Sequence, residues 1–381
     1  MPYIFIVFYL TFCAYWYDYR SRQKYRNASY FIAFLLLVAM SSLRYRVGGD
    51  ALFYADYYPK MPTLEDASYY IKYQNIYLHM PLWIYLTAIC KSISDNVVLF
   101  QIIHSFIFNT FLFVFIKRYT DKYFSVLLLL FMSLLYLYFG IEIQREVLAI
   151  SIFLYNIKNL EEKRWVKYYF FAIFSFLFHV SAIIIFVLPF FRFIKFNRRL
   201  VILLLFISFI IPLISNNIFN FFSSFILLDT MKSRADYYSE ITFSLLGLLS
   251  YYAVRVLLFI PLALYLYSKE KRNLKYNWFY SSFLIISILA QFFVMFERFL
   301  NYLYPLYLII VIEFLYYNFP TIKSLLLKSI IVVSVFLHIF FIIDYKLFTK
   351  NSTGQHYYAL FFPYNSVFNP QINKERENYY Y

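Results

Sequence analysis

Arg44, Arg46 and Asp50 fall within one short string, Arg44-Tyr45-Arg46-Val47-Gly48-Gly49-Asp50, directly after an apolar run that ends at Ser42. Two guanidiniums at that spacing can fork onto an anionic group, and a carboxylate beside them can orient them or accept a proton. The string also takes two of only five glycines in 381 residues. Glycine permits positive φ and close backbone approach, so a shaped polar site is predicted there. A loop with a local ion pair is the plainer alternative.

Four further places set charge against apolar sequence, where a charged side chain at mid-membrane costs about 3 kcal/mol on insertion scales. Arg145 stands in the short turn Glu142-Ile143-Gln144-Arg145-Glu146 between two apolar runs. It can fork onto a phosphate or snorkel to the interface. His179, inside Phe178-His179-Val180-Ser181, is either a titrating group or a packing residue, and His104 and His338 have similar surroundings. Glu297-Arg298, with Asn301, Tyr302 and Tyr304 close by, is either a ligand-facing arginine or a turn-capping pair. Arg255 lies well inside its run with no acid nearby in sequence, so it must face a cavity or a partner, or the span must start later than 244. The chain has no Gly-rich Walker loop, no His-x-x-x-His or cysteine-pair metal spacing, no Gly-x-Ser-x-Gly elbow and no Asp-x-Asp. No metal and no cofactor is expected.

The elements that must position these residues are membrane helices. At 63% hydrophobic and 14% charged residues, the chain is too apolar for a soluble globular protein. It reads as an all-α, polytopic transmembrane protein with about ten to twelve spans, since crossing the bilayer takes about twenty apolar residues. The runs lie near 3–17, 29–43, 76–90, 97–116, 123–141, 146–160, 168–190, 200–216, 244–267, 278–296, 299–317 and 324–343. The net charge of +15 sits in short Lys/Arg clusters between runs, which is the positive-inside pattern and not a nucleic-acid footprint. With the clusters at 20–26, 117–122, 163–167, 192–199 and 269–275 on the cytoplasmic side, the N-terminus falls outside. So do the loops 44–75 and 217–243, the turns at 142–145 and 297–298, and the tail.

Residues 1–343 are drawn as one membrane domain and 344–381 as a short tail folding back over the outer face. Alternation fails between Arg26 and Lys117 and again between Lys167 and Arg192. Re-entrant or broken helices are expected at His79-Met80-Pro81 and Phe178-His179-Val180. Tyr3 to Tyr17 reads as a first span, since no basic n-region precedes it. Cys13 and Cys90 read as packing residues, and Trp16, Trp165 and Trp278 as interfacial anchors. Several arginines on one face point to an anionic, phosphorylated ligand at the outer interface.

The string Leu43 to Asp50, with Tyr54 and Tyr57, resembles the opening motif of the EpsG family of Wzy-like polysaccharide polymerases. Pro81-Leu82-Trp83 is similar to that family's Glu-Pro-Leu-Phe start, with Met80 in place of Glu. Ile143-Gln144-Arg145-Glu146-Val147-Leu148-Ala149 looks like its Ile-Arg-Gln-x-Ile-Ala turn, with Glu146 in place of Gln. Phe178-His179-Val180-Ser181-Ala182 and Arg298 to Tyr302 resemble its Phe-His-x-Ser-Ala and Arg-x-x-x-Tyr segments.

The resemblance implies a glycosyltransferase of the bacterial inner (plasma) membrane. It would join polyprenyl-diphosphate-linked oligosaccharide repeats into exopolysaccharide, capsule or O-antigen. Its partners would be that lipid-linked substrate, the bilayer, a chain-length regulator and a flippase, with no nucleic acid. On this implication Arg46, Arg145 and Arg298 bind the diphosphate or donor with Arg44 supporting, and Asp50, then His179, are the candidate bases; Arg255 is counted with the substrate-binding arginines. An O-antigen ligase, or a flippase or transporter of lipid-linked sugars, is the alternative.

Overall fold

Asn96 caps a run of 23 residues, Val97–Tyr119, by accepting from the Val98 amide at 2.9 Å, and Lys117 and Arg118 complement the dipole in its last turn. At 1.5 Å per residue it is about 35 Å long, enough to cross the hydrocarbon core. The computed structural model describes residues 2–75, 79–208, 245–269, 276–290, 295–341, 345–350 and 354–380. It is 78% helical, with no strand among the described residues. Among the described residues two helices, Val97–Tyr119 and Leu249–Lys269, are long and apolar enough to span a membrane, and a third span is available if one bent pair counts as one crossing. The expected loop at 217–243 lies outside the described residues.

The chain folds as two compact units. The first comprises Met1–Ile183, Leu308–Glu313 and Ile343–Tyr381; the second comprises Ile184–Tyr307 and Phe314–Ile342. The first unit runs α1 (Pro2–Cys13), α2 (Arg26–Ser42), α3 (Asp50–Tyr57), α4 (Ala67–Tyr73), α5 (Pro81–Ile93) and α6 (Val97–Tyr119). It continues with α7 (Tyr123–Met132), α8 (Leu135–Glu142), α9 (Gln144–Glu161) and α10 (Trp165–Phe176). Here α6 packs against both α2 and α9, α10 packs on α9, and α1 on α7. Cys13 and Cys90 are buried free thiols, as packing residues should be.

Three breaks shape this unit. Pro81 occupies the first turn of α5, behind an extended Met80, so the described part of the expected run 76–90 is helical from Pro81. The run 168–190 divides: α10 ends at Phe176, His179 is extended, and α11 (Val180–Arg192) starts anew. Leu82 N donates to Leu177 O at 3.0 Å, so the two interruptions anticipated at 79–81 and 178–180 lie against each other. The third break was not expected. Leu134 takes φ +58, and α7 and α8 meet at 82°, which divides the run 123–141.

The second unit contains α12 (Leu249–Lys269), α13 (Asn277–Leu289), α14 (Met295–Asn301), the start of α15 (Tyr304–Glu313) and α16 (Leu325–Ile339). Asn277 heads α13 and fastens the segment after Arg192: it accepts from Phe196 N and donates to Ile194 O, each at 2.7 Å. Trp278 beside it is buried, whereas Trp16 and Trp165 are exposed. Two of the three expected anchors therefore have the exposure an interfacial residue needs; Trp278 is a packing residue.

Candidate anion-binding site

The Gly48-Gly49 pair is explained by a carboxylate. Glu142, buried at the end of α8, accepts from Gly49 N through Oε2 at 2.7 Å and from Asp50 N through Oε1 at 3.0 Å. These amides begin α3, so the carboxylate also meets the positive end of that helix. A Cβ on Gly49 would stand 2.7 Å from Glu142 Oε1. One on Gly48, whose φ is +103, would stand 2.6 Å from Ile141 Cγ2. Gly48 is required by its positive φ and the approach of Ile141, while at Gly49 a Cβ would have to displace the Glu142 carboxylate.

The arginines of the loop have different partners from those the spacing implied. Asp50 is exposed in the first turn of α3, and the acids on Arg46 are Asp56 and Glu377. Arg46 Nη1 and Nη2 donate to Asp56 at 2.5 and 3.2 Å, while Nε and Nη2 donate to Glu377, both at 2.7 Å. Both carboxylates favour the charged guanidinium and raise its pKa further. Arg44 is fully buried and donates to Ser41 O, with Nε and Nη2 unbonded among the described residues. Burial pulls its pKa down to about 10, against the opposing pull of nearby Tyr364, Tyr3, Tyr136 and Glu142.

The tail returns to this loop. Tyr45 N donates to Asn365 O at 2.8 Å, Val367 N to Leu43 O at 3.0 Å, and Gly48 N to Leu360 O at 2.7 Å. Arg376, buried at the start of α17 (Lys374–Tyr380), donates to the carbonyls of Ala359, Arg46 and Pro363 at 2.9, 2.6 and 2.5 Å. Burial lowers its pKa, and the three carbonyls take the place of water around it.

Arg145 is placed otherwise. It is half-buried in the first turn of α9, donates through Nε to Tyr54 Oη at 2.8 Å, and lies 5.6 Å from the Tyr54 ring centroid. Among the described residues no carboxylate pairs with it. Tyr54 itself packs in a buried cluster with Trp83, Phe100, Tyr70 and Leu148, and Phe178 lies against that cluster. His179 follows Phe178; its Nδ1 lies 2.7 Å from Ser181 Oγ and accepts from Ser181 N at 3.2 Å, capping the short helix. In the first unit, then, Arg145, Asp50 and His179 are carried by segments in contact, with Glu142 and Tyr54 as the joints. Glu142, Asp56, Arg376 and Glu377 lay outside the expected site. Only Glu142 had a signal, as an acid on the same turn as Arg145.

In the second unit Arg255 is buried in the π-wound part of α12. It donates to Glu297 and, at 2.5 Å, to Tyr304 Oη, and its guanidinium lies 4.9 Å from the Tyr251 ring centroid. The partner that its position demanded is therefore Glu297, on α14. Arg298, the next residue, is half-buried.

These features define a helical protein with membrane-type helices and a half-buried arginine set on an aromatic cluster. Residues 27–366 match the EpsG family, and the chain belongs to that family. No curated protein and no solved structure matches it.

Proposed function

We propose that this protein is a Wzy-like polysaccharide polymerase of the bacterial inner membrane. It would cross the bilayer about ten to twelve times, with the 44–75 loop, the 142–145 turn and the tail outside. Its donor would be a polyprenyl-diphosphate-linked oligosaccharide and its acceptor a sugar hydroxyl of a second repeat. The hydroxyl oxygen bonds to the donor's anomeric carbon, the bond from that carbon to the diphosphate breaks, and the hydroxyl proton passes to a base. Polyprenyl diphosphate leaves with the electron pair.

Arg145 is the observation that carries the reading. Its Nε is held by Tyr54, no acid among the described residues neutralises it, and a planar fork suits the developing charge of a departing diphosphate. Asp50, exposed on α3, is assigned as base, with His179 as second candidate because Ser181 occupies its Nδ1 side. Arg44 and Arg46 shape the loop. Arg298 is a further candidate for the anion on the second unit, and Arg255 holds Glu297. Family membership supports the substrate class.

A deletion strain tests the function. Accumulation of single lipid-linked repeats is expected. Full-length polymer left unligated would make the protein a ligase, and repeats confined to the cytoplasmic leaflet would make it a flippase; either outcome contradicts the proposal.

A further inference from the structure

We propose that Glu142 is a positioning residue for glycosyl transfer, setting the Asp50-bearing end of α3 at a fixed place relative to Arg145. This inference rests on the polymerase reading. Its basis is a joint assembled from three sides.

The first side is the carboxylate. Glu142 and Arg145 share one short turn between α8 and α9, and the two oxygens of Glu142 reach Gly49 N and Asp50 N at 2.7 and 3.0 Å. One side chain thereby ties the segment carrying Arg145 to the residue assigned as base. The second side is the glycine pair. A Cβ on Gly49 would stand 2.7 Å from Glu142 Oε1, so the carboxylate holds its present place only while this position is glycine.

The third side is α6, whose Gln101 and His104 stand one helical turn apart, both buried. His104 Nε2 lies 2.9 Å from Gln144 O, on the turn. Gln101, with its amide nitrogen assigned toward the loop, donates to Ser42 O at 2.9 Å and Arg44 O at 3.1 Å. The same helix face thus pins both segments, and Glu142 closes the gap between them. Tyr54, on α3, then receives Arg145 Nε, so an altered entry to α3 would also disturb the arginine.

Geometry of this kind acts on turnover. A shift of about 1 Å in a reacting group can cost about a hundredfold in rate with little effect on ground-state binding. Glu142→Gln keeps the size of the side chain but replaces one acceptor by a donor facing an N–H, whereas Gly49→Ala pushes on an intact carboxylate. Both should lower kcat by about 10- to 100-fold per folded molecule, with KM changed less than about threefold. The double variant should be no worse than the poorer single one, since both break the same joint.

The experiment uses the full chain in liposomes with a defined polyprenyl-diphosphate-linked repeat unit, scored per molecule of folded, inserted protein. Amide hydrogen exchange at residues 47–52 is followed in parallel and should quicken in both variants. Wild-type kcat and KM retained by Glu142→Gln, additive losses in the double variant, or unchanged exchange would each overturn the positioning role. Wild-type protein that fails to elongate the repeat removes the polymerase reading itself, and with it this role; that outcome is recognised before any variant is compared.

Discussion

Four arginines of this chain have four different surroundings, and the surroundings sort their roles. Arg44 is buried, Arg46 is gripped by Asp56 and Glu377, Arg255 is neutralised by Glu297, and Arg145 alone of the four rests on a tyrosine hydroxyl and ring without an acid among the described residues. A guanidinium already forked onto two carboxylates has little left for a diphosphate, so Arg46 belongs to the scaffold. Arg46→Ala should cost about 1 kcal/mol of stability, a modest figure because the pair is partly open to solvent, and a shift in melting temperature of detergent-solubilised protein checks it. Arg145→Ala should insert and melt like the parent but lose about a hundredfold or more in turnover. Arg145→Lys should recover little, because a point charge on a flexible stem cannot reproduce the planar fork. Substantial activity in the lysine variant would mean that charge, not fork geometry, is what the site uses.

Among the elements, the tail helix α17 is the one that locks the arginine loop. Arg376 joins two tail carbonyls, those of Ala359 and Pro363, to the Arg46 carbonyl of the loop, and Glu377 holds Arg46, so α17 closes the loop from outside. Arg376→Ala leaves the buried Ala359 carbonyl and two part-buried ones unbonded and should destabilise by about 1 to 3 kcal/mol, with faster proteolysis of the tail as the measurement. The breaks at 79–81 and 178–180 were legible in sequence because Pro81 cannot continue a helix and His179 stands at a parity failure. The 82° bend was not legible, because neither Ser133 nor Leu134 is the Pro or Gly that would mark a break in sequence. Contacts over long separations were equally hidden. Glu377 lies 331 residues from Arg46 and Glu297 lies 42 from Arg255, and nothing local in the sequence selects either acid. Spacing did single out Arg44 to Asp50, Arg145 and His179 as candidates, which the structure places on segments in contact, since charge and glycine are conspicuous in apolar sequence. It assigned the wrong acid to Arg46, because proximity in sequence favoured Asp50 over Asp56 and Glu377.

For the whole molecule, family membership over residues 27–366 and membrane-length helices set the frame, and the proposal places its chemistry at Arg145, which no acid among the described residues pairs with. A polymerase with one essential diphosphate-binding arginine should leave cells carrying Arg145→Ala with the same short lipid-linked repeats as a deletion strain, at normal protein level. The most direct test is reconstitution of purified wild-type and Arg145→Ala protein in liposomes with a defined polyprenyl-diphosphate-linked repeat unit, resolving products by length. The account predicts a ladder of elongated products from wild type and the single repeat alone from Arg145→Ala at equal insertion. A ladder of undiminished length from Arg145→Ala would contradict it.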